Sequence, residues 1–520
     1  MEKEQYITSS LYTFENMREG NYLYVDKTEY LWKLINRPQS MFFFSRPRRF
    51  GKSLTLSTLK AIFQGKKELF KGLFIENQPY DWKPYPVIHI DMGSVSADTP
   101  EKLEKAIAFI LRMNAKDNNI DLEEQSLYDS FVELVRKLYE RDGKVVILID
   151  EYDKPILNNI ENENLAELQK VMKGFYSVLK TCEPYERFVF ITGVGKFLKV
   201  SIFSDLNNPT DISMNDDFAT LCGYTEKELI DNFQTQLEYL AEKTNEEYKS
   251  FLQGVKEWYD GYKFSQDGEN VYNPVSLAKF IENKGRFNNY WFETGSPSIL
   301  VKLIKEKSVN IEEVINFTYT ENIFTAFMPT SISFIALMYQ TGYLTIKSWQ
   351  TKDRVTTYKL GFPNFEVEES FYQNLVYTAS DDLDLSAGLP HKLKESMKNN
   401  DVDIMMKAID CYLAEIPYEM HIKNEKYYQT IFYSLFKIIG YSIQAEAQTS
   451  DGRIDAYIEN GNNVYIFEFK LDKSADEAFD QIMNRKYYLK FQNSGKKITL
   501  VGANFDFETR RLKDYKKKEL

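Results

Sequence analysis

The sequence contains few cysteine and histidine residues, and this scarcity excludes several classes of protein. Three of the 520 residues are cysteine and three are histidine. Cys182, Cys222 and Cys411 are odd in number and lie far apart, so a disulfide scaffold is excluded and a reducing compartment is favoured. Only His421 lies close to the last hundred residues, so a zinc hydrolase or a nuclease built on histidine and asparagine is unsupported there.

Glycine and proline are also scarce, at 23 and 15 residues, whereas phenylalanine and tyrosine number 37 and 36. This composition excludes collagen-like and intrinsically disordered chains. The N-terminal MEKEQYITSS lacks the basic and apolar regions of a secretion signal. The charge-free run Asn322–Ile346 is interrupted by Pro329 and Gly342, which favours a buried helix and a strand over a membrane span. We expect a cytoplasmic chain with no membrane partner.

The charge balance is acidic overall but uneven along the chain. With 65 basic and 77 acidic side chains the net charge is −12, so the chain has no global attraction for nucleic acid. Local basic stretches can still bind phosphate. Met41–Lys67 contains no acidic residue, and the C-terminal TRRLKDYKKKEL is basic. We expect the C-terminal stretch to be a solvated helix or a frayed end.

Four short apolar runs in the first half alternate with helical patterns. They are Met41–Ser45, Pro86–Asp91, Lys144–Asp150 and Arg187–Thr192. Continuous apolar runs of this length are typical of strands that are covered on both faces. The alternation predicts a parallel sheet flanked by helices.

The first of these runs leads into RPRRFGKS, which matches the phosphate-binding loop GxxxxGK[ST] except that Arg46 replaces the first glycine. Gly51 would let the backbone approach a phosphate, and Lys52 would reach the β- and γ-phosphate oxygens. Ser53 could ligate Mg²⁺ at the start of the following helix. A GKS tripeptide alone is also consistent with a helix that Ser53 caps. The strands and helices around the motif therefore decide whether it is read as a phosphate-binding loop.

The loop carries three arginines, Arg46, Arg48 and Arg49, with two interpretations. They contact phosphate within the loop, or they act on a neighbouring copy across an oligomer interface. The sequence does not choose between them.

The other apolar runs supply the remaining parts of a nucleotide site. Asp150 ends the run KVVILID, where it would hold Mg²⁺, and Glu151 would polarise the attacking water. Thr192 ends RFVFIT and is suited to sensing the γ-phosphate. The run Pro86–Asp91 lies between the lysine and the acid pair, as expected of NTPases with an extra strand between these two elements. The ordered set predicts ATP binding.

The segment SDGRIDAYIENGNNVYIFEFK predicts a hairpin that carries a second acid and lysine set. Residues two apart on a strand share a face, so Glu468 and Lys470 point the same way while two phenylalanines pack on the other side. Asp455, across the hairpin, would complete a carboxylate pair for Mg²⁺ or Mn²⁺, and Lys470 would orient water or stabilise charge at a scissile phosphate. A buried salt bridge on a half-exposed sheet is the alternative.

Several motifs together resemble the AAA-ATPase-like family of bacterial proteins: FFFSRPRRFGKSLTLSTL, LIDEYDKP, FVFITGVGKF, DFATLCGYTEKEL and WYDGYKF…VYNPVSL. Family members share the arginine at the position of Arg46. They typically carry a C-terminal nuclease-like domain, and the hairpin here resembles the PD-(D/E)XK nuclease superfamily, whose core motif Asp455, Glu468 and Lys470 match. This second resemblance also implies a catalytic auxiliary role for Gln481 and, less directly, for Tyr487; the further acids it would accept are Glu425 and Glu446.

The residue patterns and the resemblance together predict an α/β multidomain chain, with a P-loop NTPase parallel sheet, a helical lid, a winged-helix-like module and a small α/β nuclease-like domain. We expect an ATPase core at residues 1–214, a helical lid region at 215–328, a winged-helix-like module at 329–366, a helical connector at 367–424 and the nuclease-like domain at 425–520. The winged-helix pattern is a helix followed by the alternating segments YLTIKSWQ and RVTTYKLG.

Two functional hypotheses follow. The first is an ATPase coupled to a Mg²⁺- or Mn²⁺-dependent nuclease that acts on nucleic acid, with DNA favoured. The second is a nucleotide-dependent switch whose nuclease-like domain binds nucleic acid or a partner without cleaving it. The modest basic content near Asp455 keeps the second open, because a nuclease needs a cationic channel.

Overall fold

The computed structural model describes residues 5–123, 125–160, 162–196, 209–291, 314–315, 317–324, 327–328, 331–379, 383–414, 416, 425–441, 443–449 and 452–520. The chain divides into two compact units. The first consists of Met1–Trp291 and Thr318–Phe365, and the second of Phe292–Phe317 and Glu366–Leu520. The five predicted domains and their limits stay a prediction.

The first unit contains a five-stranded sheet in the spatial order β2-β3-β4-β1-β5, in which every neighbouring pair is parallel. Its strands are β1 (Met41–Ser45), β2 (Val87–Asp91), β3 (Val145–Asp150), β4 (Glu186–Gly193) and β5 (Thr210–Asp211). Every residue of β3 is buried, as its continuous apolar run predicts. The predicted α/β fold class is confirmed, and four of the strands lie within one residue of their predicted limits.

The strand that lies between β1 and β3 in the sheet is not the one that lies between them along the chain. The run Pro86–Asp91 separates the lysine from the acid pair along the chain, but its strand β2 lies at the outer edge of the sheet. The strand inserted between β1 and β3 is β4. Thr192 therefore lies between the phosphate loop and Asp150.

Helices cover the sheet and extend beyond it. The helices of the first unit are α1 (Phe14–Glu19), α2 (Thr28–Ile35), α3 (Lys52–Phe63), α4 (Pro100–Asp117), α5 (Leu127–Asp142), α6 (Lys154–Leu157), α7 (Leu165–Tyr176), α8 (Val178–Thr181), α9 (Glu226–Thr244), α10 (Tyr248–Tyr259), α11 (Pro274–Glu282) and α12 (Phe334–Thr341). The apolar faces of α4, α5 and α7 share one buried cluster with β3 and β4. Helices α9, α10 and α11 form a second, largely aromatic cluster.

The first unit ends in a helix followed by a hairpin. Helix α12 precedes β9 (Thr345–Lys352) and β10 (Val355–Gly361), which pair antiparallel, and β6 (Thr318–Thr320) pairs with β10. Two further two-residue strands are β7 (Phe327–Met328) and β8 (Ser331–Ile332). The helix-plus-hairpin module is confirmed; its kinship to a winged helix stays a prediction.

The second unit is built on a mixed sheet in the order β11-β12-β13-β14-β15. Its strands are β11 (Ile443–Thr449), β12 (Gly452–Asn460), β13 (Asn463–Leu471), β14 (Lys497–Asp506) and β15 (Arg511–Glu519). Only β13 and β14 are parallel, and the crossover between them contains α17. The helices are α13 (Phe365–Ala379), α14 (Leu383–Lys398), α15 (Val402–Ala414), α16 (Glu425–Ile438) and α17 (Ala475–Asn484).

The expectation for the basic C-terminal stretch is wrong. Arg511–Glu519 is a β-strand at the edge of the second sheet, neither a helix nor a frayed end. Its lysines are distributed over ion pairs on both faces, including Lys516 with Asp476 and Lys517 with Asp403. Lysine-rich edge strands are a common protection against edge-to-edge pairing.

The charge-free run has the predicted structure. It contains helix α12 and leads into strand β9. Within the ranges that the structure describes, no helix combines the length and the apolarity needed to cross a bilayer.

Glu186, at the start of β4, generates a prediction about stability and pH. Its side chain is 2% exposed, and among the described residues neither carboxylate oxygen has a hydrogen-bond partner. Burial, with the nearby charge of Glu183, raises the pKa of Glu186 from 4.5 to about 8. Between these two pH values the folded chain holds a proton that the unfolded chain has lost, so the free energy of unfolding falls as the pH rises.

We predict that Glu186→Gln removes this loss, so that the variant gains on the order of 4 kcal/mol relative to the unmodified chain between pH 5 and pH 8.5. Urea unfolding at the two pH values measures the difference. Glu167→Gln, an exposed change on α7, is the control and should leave the pH dependence intact. The same pH dependence in all three proteins would contradict the prediction.

Gly502 on β14 generates a second prediction, because helix α17 crosses directly over it. A Cβ atom at this position would lie 2.5 Å from the backbone nitrogen of Phe479 and 2.8 Å from the carbonyl oxygen of Ala475. We expect Gly502→Ala to destabilise the second unit by about 2 kcal/mol through this backbone clash. Gly388→Ala is the matched control, since Gly388 lies on helix α14 with open space around it, and it should be neutral or stabilising by up to about 1 kcal/mol. Thermal unfolding of both variants tests the contrast.

Candidate functional site

The phosphate-loop motif lies between β1 and α3, at the carboxyl edge of the parallel sheet. Gly51 has φ +94°, a left-handed conformation that favours glycine, and it immediately precedes the first residue of α3. The first amides of α3 have no intrahelical partner, and the helix dipole favours an anion at this end. The residue order therefore produces a strand, a tight turn and a helix start that suits a phosphate.

Lys52 lies within this loop with its ammonium group on the loop's own backbone. The side chain is buried, and Nζ donates to the carbonyl oxygens of Arg46 and Pro47, both at 2.9 Å. Burial lowers the pKa of Lys52, and the charges of Asp150 and Glu151 oppose this shift. The two carbonyl contacts hold the cation at the position where the motif requires it. Ser53, the predicted Mg²⁺ ligand, is the next residue of α3 and is half-buried.

Arg46, expected to contact phosphate or a neighbouring copy, is instead engaged inside the protein. Its side chain is 2% exposed. The guanidinium donates to the carbonyl oxygens of Ser45 at 2.9 Å and Ser213 at 2.7 Å, and to those of Phe218 and Ala219, both at 3.2 Å. All four N–H bonds of its two terminal nitrogens are thereby used. The arginine that replaces the first glycine thus fastens the loop to the segment after β5.

The other two loop arginines differ in exposure. Arg49 has φ +66° and donates from Nη1 to the carbonyl oxygen of Tyr290 at 2.5 Å. Arg48 is exposed. Of the three, Arg48 is therefore the one whose side chain is available to a group outside this unit.

Asp150 and Thr192 meet at the ends of the adjacent strands β3 and β4. The hydroxyl of Thr192 donates to Asp150 Oδ1 at 2.6 Å, and the amide of Glu151 donates to the same oxygen at 3.0 Å. No other described residue donates to Asp150, so Oδ2 is available to a cation. Thr192 is fully buried. Its hydroxyl orients the carboxylate of Asp150, and its role in sensing the γ-phosphate stays a prediction.

Glu151 occupies a strained position beside β2. Its φ is +49°, and its carboxylate lies 3.0 Å from Lys154 Nζ. A Cβ on Gly93 would lie 2.9 Å from Glu151 Oε2, so the glycine makes room for the carboxylate. Asp91, the residue of β2 opposite Asp150, accepts a hydrogen bond from the amide of Gly93 at 2.7 Å.

Asp91 and Gly93 were not predicted from the sequence. The signal is present, because Asp91 ends an apolar strand as Asp150 does. Burial raises the pKa of Asp91, and the charge of Asp150 contributes to the shift. A third carboxylate therefore belongs to this edge of the sheet.

Asp153, in the same motif as Glu151, was also not predicted as a functional residue from the sequence. Its contacts give it a structural role. It is fully buried, and its Oδ2 accepts from the amides of Val194 at 3.0 Å and Gly195 at 2.9 Å. Burial raises the pKa of Asp153 to about 6. It joins the turn after β3 to the end of β4, which fixes Asp150 and Thr192 relative to each other.

A cavity of about 60 Å³ adjoins the phosphate loop. Gly51, Leu54 and Thr55 line it on the loop side, and Val25 and Tyr224 line it opposite. Its lining is mainly apolar and aromatic.

The second predicted site assembles on β12 and β13. Asp455 Oδ2 accepts a hydrogen bond from the amide of Phe469 at 2.8 Å, and Lys470 Nζ donates to Glu468 Oε1 at 2.9 Å. The side chains of Phe467 and Phe469 point the other way and contact Phe432 of α16. The alternation read from the sequence thus places the acid and the lysine on one face.

The buried carboxylate of Glu468 is incompletely hydrogen-bonded by the described residues. Its side chain is 1% exposed, and among the described residues Oε2 has no hydrogen-bond donor. Burial and the charge of Asp455 raise the pKa of Glu468 to about 8, although Lys470 opposes the shift. Glu425, on α16, adds further negative charge. Burial alone would lower the pKa of Lys470, but its contact with Glu468 outweighs burial and raises it.

Helix α17 supplies the auxiliary position. Gln481 Nε2 donates to the Tyr487 hydroxyl at 3.4 Å. The pKa of Tyr487 is raised by burial, with contributions from Glu468 and Asp455, which places the tyrosine beside the acid pair. His421 and the side chain of Glu446 lie outside the described residues.

Both sites have donors that fit a divalent cation, although neither has three protein ligands. In the described part of the chain, no group of three or more His, Cys, Asp or Glu side chains could hold a metal. The Ser53 hydroxyl and Asp150 Oδ2 are oxygen donors of the kind Mg²⁺ accepts beside substrate phosphates. At the second site the orphaned Oε2 of Glu468, with Asp455, is the donor pair that a cation would satisfy.

Comparison with known proteins identifies a family for each of two regions of the chain. A predicted AAA-ATPase family model matches residues 9–203, and a PD-(D/E)XK nuclease superfamily model matches residues 423–515. A protein of Azotobacter chroococcum mcd 1, described as an uncharacterized protein in the vnfD 5′ region, is 35% identical over 511 residues, which is 96% of each chain.

Two solved structures are also similar to the chain. The Aeropyrum pernix ORC2 protein, in ADPNP and ADP complexes, is 13% identical, with coverage of 71% of this chain and 94% of that one and a TM-score of 0.30. The Aeropyrum pernix ORC1 protein in complex with DNA is 11% identical, with coverage of 67% and 92% and a TM-score of 0.25.

The family matches therefore assign the first domain to an ATPase family and the last to a nuclease superfamily, and both are enzyme classes. From the full-length relative and the two matched models, we conclude that this chain belongs to the AAA-ATPase-like family and carries a C-terminal domain of the PD-(D/E)XK nuclease superfamily.

Proposed function

We propose that the chain binds and hydrolyses ATP, and that its nucleotide state is coupled to a Mg²⁺- or Mn²⁺-dependent nuclease domain that cleaves phosphodiester bonds in DNA. The observation that carries the proposal is the buried carboxylate of Glu468, whose Oε2 lacks a partner beside Asp455 and Lys470. Such a group is costly unless a cation joins it. A second acid and lysine set at the phosphate loop supports nucleotide binding in the same chain.

At the ATPase site, each residue has a role that its contacts support. Lys52 would exchange its two carbonyl partners for β- and γ-phosphate oxygens, and the first amides of α3 would bind the phosphate chain. Ser53 and Asp150 would hold Mg²⁺, while Thr192 keeps Asp150 oriented. Glu151 would accept a proton from the attacking water.

The loop arginines divide between two roles. Arg46 keeps the loop in shape through its carbonyl contacts. Arg49 also supports the shape of the loop, through its hydrogen bond to the carbonyl oxygen of Tyr290. Arg48, which is exposed, is the candidate to act on the nucleotide of a neighbouring copy, where an arginine stabilises charge on the transferring phosphate.

At the nuclease site, Asp455 and Glu468 would hold Mg²⁺ or Mn²⁺. A divalent cation bound there supplies Lewis-acid chemistry at the scissile phosphate and lowers the pKa of a bound water. Lys470 would orient the water and stabilise negative charge at the phosphate. Gln481 and Tyr487 would position groups beside the acid pair.

We predict that Lys52→Ala weakens ATP binding at least 100-fold, because removal of the ammonium leaves the phosphates without their main cationic partner. Titration with a fluorescent ATP analogue in the presence of Mg²⁺ measures the affinity. Unchanged affinity would contradict the nucleotide half of the proposal. Glu151→Gln is the control, since it should retain the affinity while hydrolysis falls at least tenfold.

We predict that Glu468→Gln abolishes metal-dependent cleavage of DNA, because the neutral amide cannot complete the cation site. Linear and circular DNA are incubated with the purified full chain and Mg²⁺ or Mn²⁺, with and without ATP. The matched control is Glu459→Gln, a neutralising change near the end of the partner strand β12 of the same hairpin, which should cleave normally. A nuclease contaminant would act equally in all three preparations.

The same assay separates the two hypotheses. Cleavage that is lost only in Glu468→Gln supports the nuclease, and its dependence on ATP reports the coupling. An unmodified chain that binds DNA but cleaves none of it would favour the switch, whose nuclease-like domain binds without cutting.

A further inference from the structure

One face of the three-stranded sheet in the first unit is exposed and carries no carboxylate. The hairpin contributes Ser348, Gln350, Lys352, Val355, Thr357 and Lys359, which the antiparallel register places on the same side. Strand β6 adds Thr318 and Thr320, opposite Lys359 and Thr357. Thr357 is half-buried and the other seven side chains are exposed. We call this surface the outer hairpin face.

Three cations at and near the turn of this hairpin have no acidic partner within the described part of the chain. Lys352, Arg354 and Lys359 form no ion pair with any described residue. The hairpin contains one acid, Asp353, which lies in the two-residue turn with Arg354, where both residues have positive φ. Burial raises the pKa of Tyr358, a residue of the opposite face, and the negative charge of Glu321, which follows β6, adds to this shift. In a chain with a net charge of −12, such an acid-free cationic surface is a local exception.

The opposite face fixes the hairpin to the body of the unit. Tyr358 is buried, and its hydroxyl accepts a hydrogen bond from Gln266 Nε2 at 2.5 Å. Trp349 Nε1 donates to the carbonyl oxygen of Gln266 at 2.9 Å, and Thr345 exchanges two hydrogen bonds with the backbone of Lys263. The outer hairpin face is therefore presented by a rigid element. Ordering a ligand on it costs little conformational entropy of the protein.

We infer that the outer hairpin face and its turn bind duplex DNA, an inference that rests on the proposed action on DNA. Lysine, arginine and the hydroxyl and amide side chains of Ser, Thr and Gln are the groups that contact phosphate oxygens in protein–DNA interfaces. A surface that offers these groups without carboxylates complements the evenly spaced charge of a phosphate backbone.

The shape of the element selects DNA over RNA. Strand β6 pairs only with Thr357–Lys359 of β10, so the end of the hairpin beyond Thr357 is a two-stranded β-ribbon. A ribbon of this kind fits the major groove of B-form DNA, which is about 12 Å wide. The major groove of an A-form RNA duplex is too deep and narrow for side chains to read. Lys352, the last residue of β9, and Arg354 in the turn are at the leading end of the ribbon, and Lys359 lies further back on the same face as Lys352.

The test compares two full-length variants in a Glu468→Gln background, in which DNA remains intact. One carries Lys352→Glu, Arg354→Glu and Lys359→Glu. The control carries Lys227→Glu, Lys243→Glu and Lys249→Glu, three exposed changes on α9 and α10 that alter the net charge equally. Binding to a fluorescent DNA duplex is measured by anisotropy at several salt concentrations, and an RNA duplex of the same sequence is the competitor.

We expect the hairpin variant to bind DNA at least tenfold more weakly than the control, with a salt dependence of log K that is shallower by about 2 to 3, because three phosphate contacts are lost. ATP affinity should be the same in both variants, which shows that both are folded. Equal DNA affinity in the two variants would overturn the inference, and so would preferential binding of the RNA duplex.

Failure of the proposed nuclease is distinguishable from failure of this inference. Cleavage is measured on the unmodified chain and depends on Glu468, whereas the binding comparison involves no cleavage. An unmodified chain that cleaves DNA, paired with a hairpin variant that binds DNA like the control, overturns the inference alone. A chain that never cleaves DNA but loses binding in the hairpin variant supports it.

Discussion

The guanidinium of Arg46 is the constraint on which the phosphate loop depends. It is a buried cation that is held by four backbone carbonyls and lies between the rings of Phe44 at 4.4 Å and Phe264 at 4.1 Å. Burial lowers its pKa to about 10, so the group is still charged at neutral pH. Charge-assisted hydrogen bonds and cation–π contacts offset the cost of its desolvation. A loop that begins with glycine gains its curvature from conformational freedom, whereas this loop gains it from an anchored side chain.

The same anchor joins the loop to the helix-plus-hairpin module. Phe264, on the Arg46 guanidinium, also contacts Phe50 of the loop at 5.3 Å. The residues on either side of Phe264 hold the hairpin: Lys263 bonds Thr345, and Gln266 bonds Trp349 and Tyr358. A Cβ on Gly342, at the end of α12, would lie 2.7 Å from Pro47, so the module also packs on the loop directly. Any movement of the loop on nucleotide binding therefore acts on atoms in direct contact with the hairpin.

The sequence predicts the strands and the chemistry at their ends because both depend on local pattern. Continuous apolar runs locate β1 to β4, and the two-residue alternation in VYIFEFK fixes the face of Glu468 and Lys470. Contacts between distant residues are not encoded in such patterns. The engagement of Arg46 with Ser213 and Phe218, and the room that Gly93 makes for Glu151, depend on tertiary packing. The strand β15 was missed for a different reason, since an edge strand with lysines on both faces shows no apolar alternation.

The two acid sites differ in how well the folded chain satisfies them without a cation. At the ATPase site, Asp150 accepts bonds from Thr192 and from the backbone, and Lys52 rests on two carbonyls, so each charge has partners. At the nuclease site, Glu468 has one partner and one orphaned oxygen, and the nearby charges of Asp455 and Glu425 are repulsive. Folding around the phenylalanines of β13 holds this glutamate in place regardless of that cost. A divalent cation would relieve both the missing contact and the repulsion, because it would supply positive charge and coordination to the same oxygen.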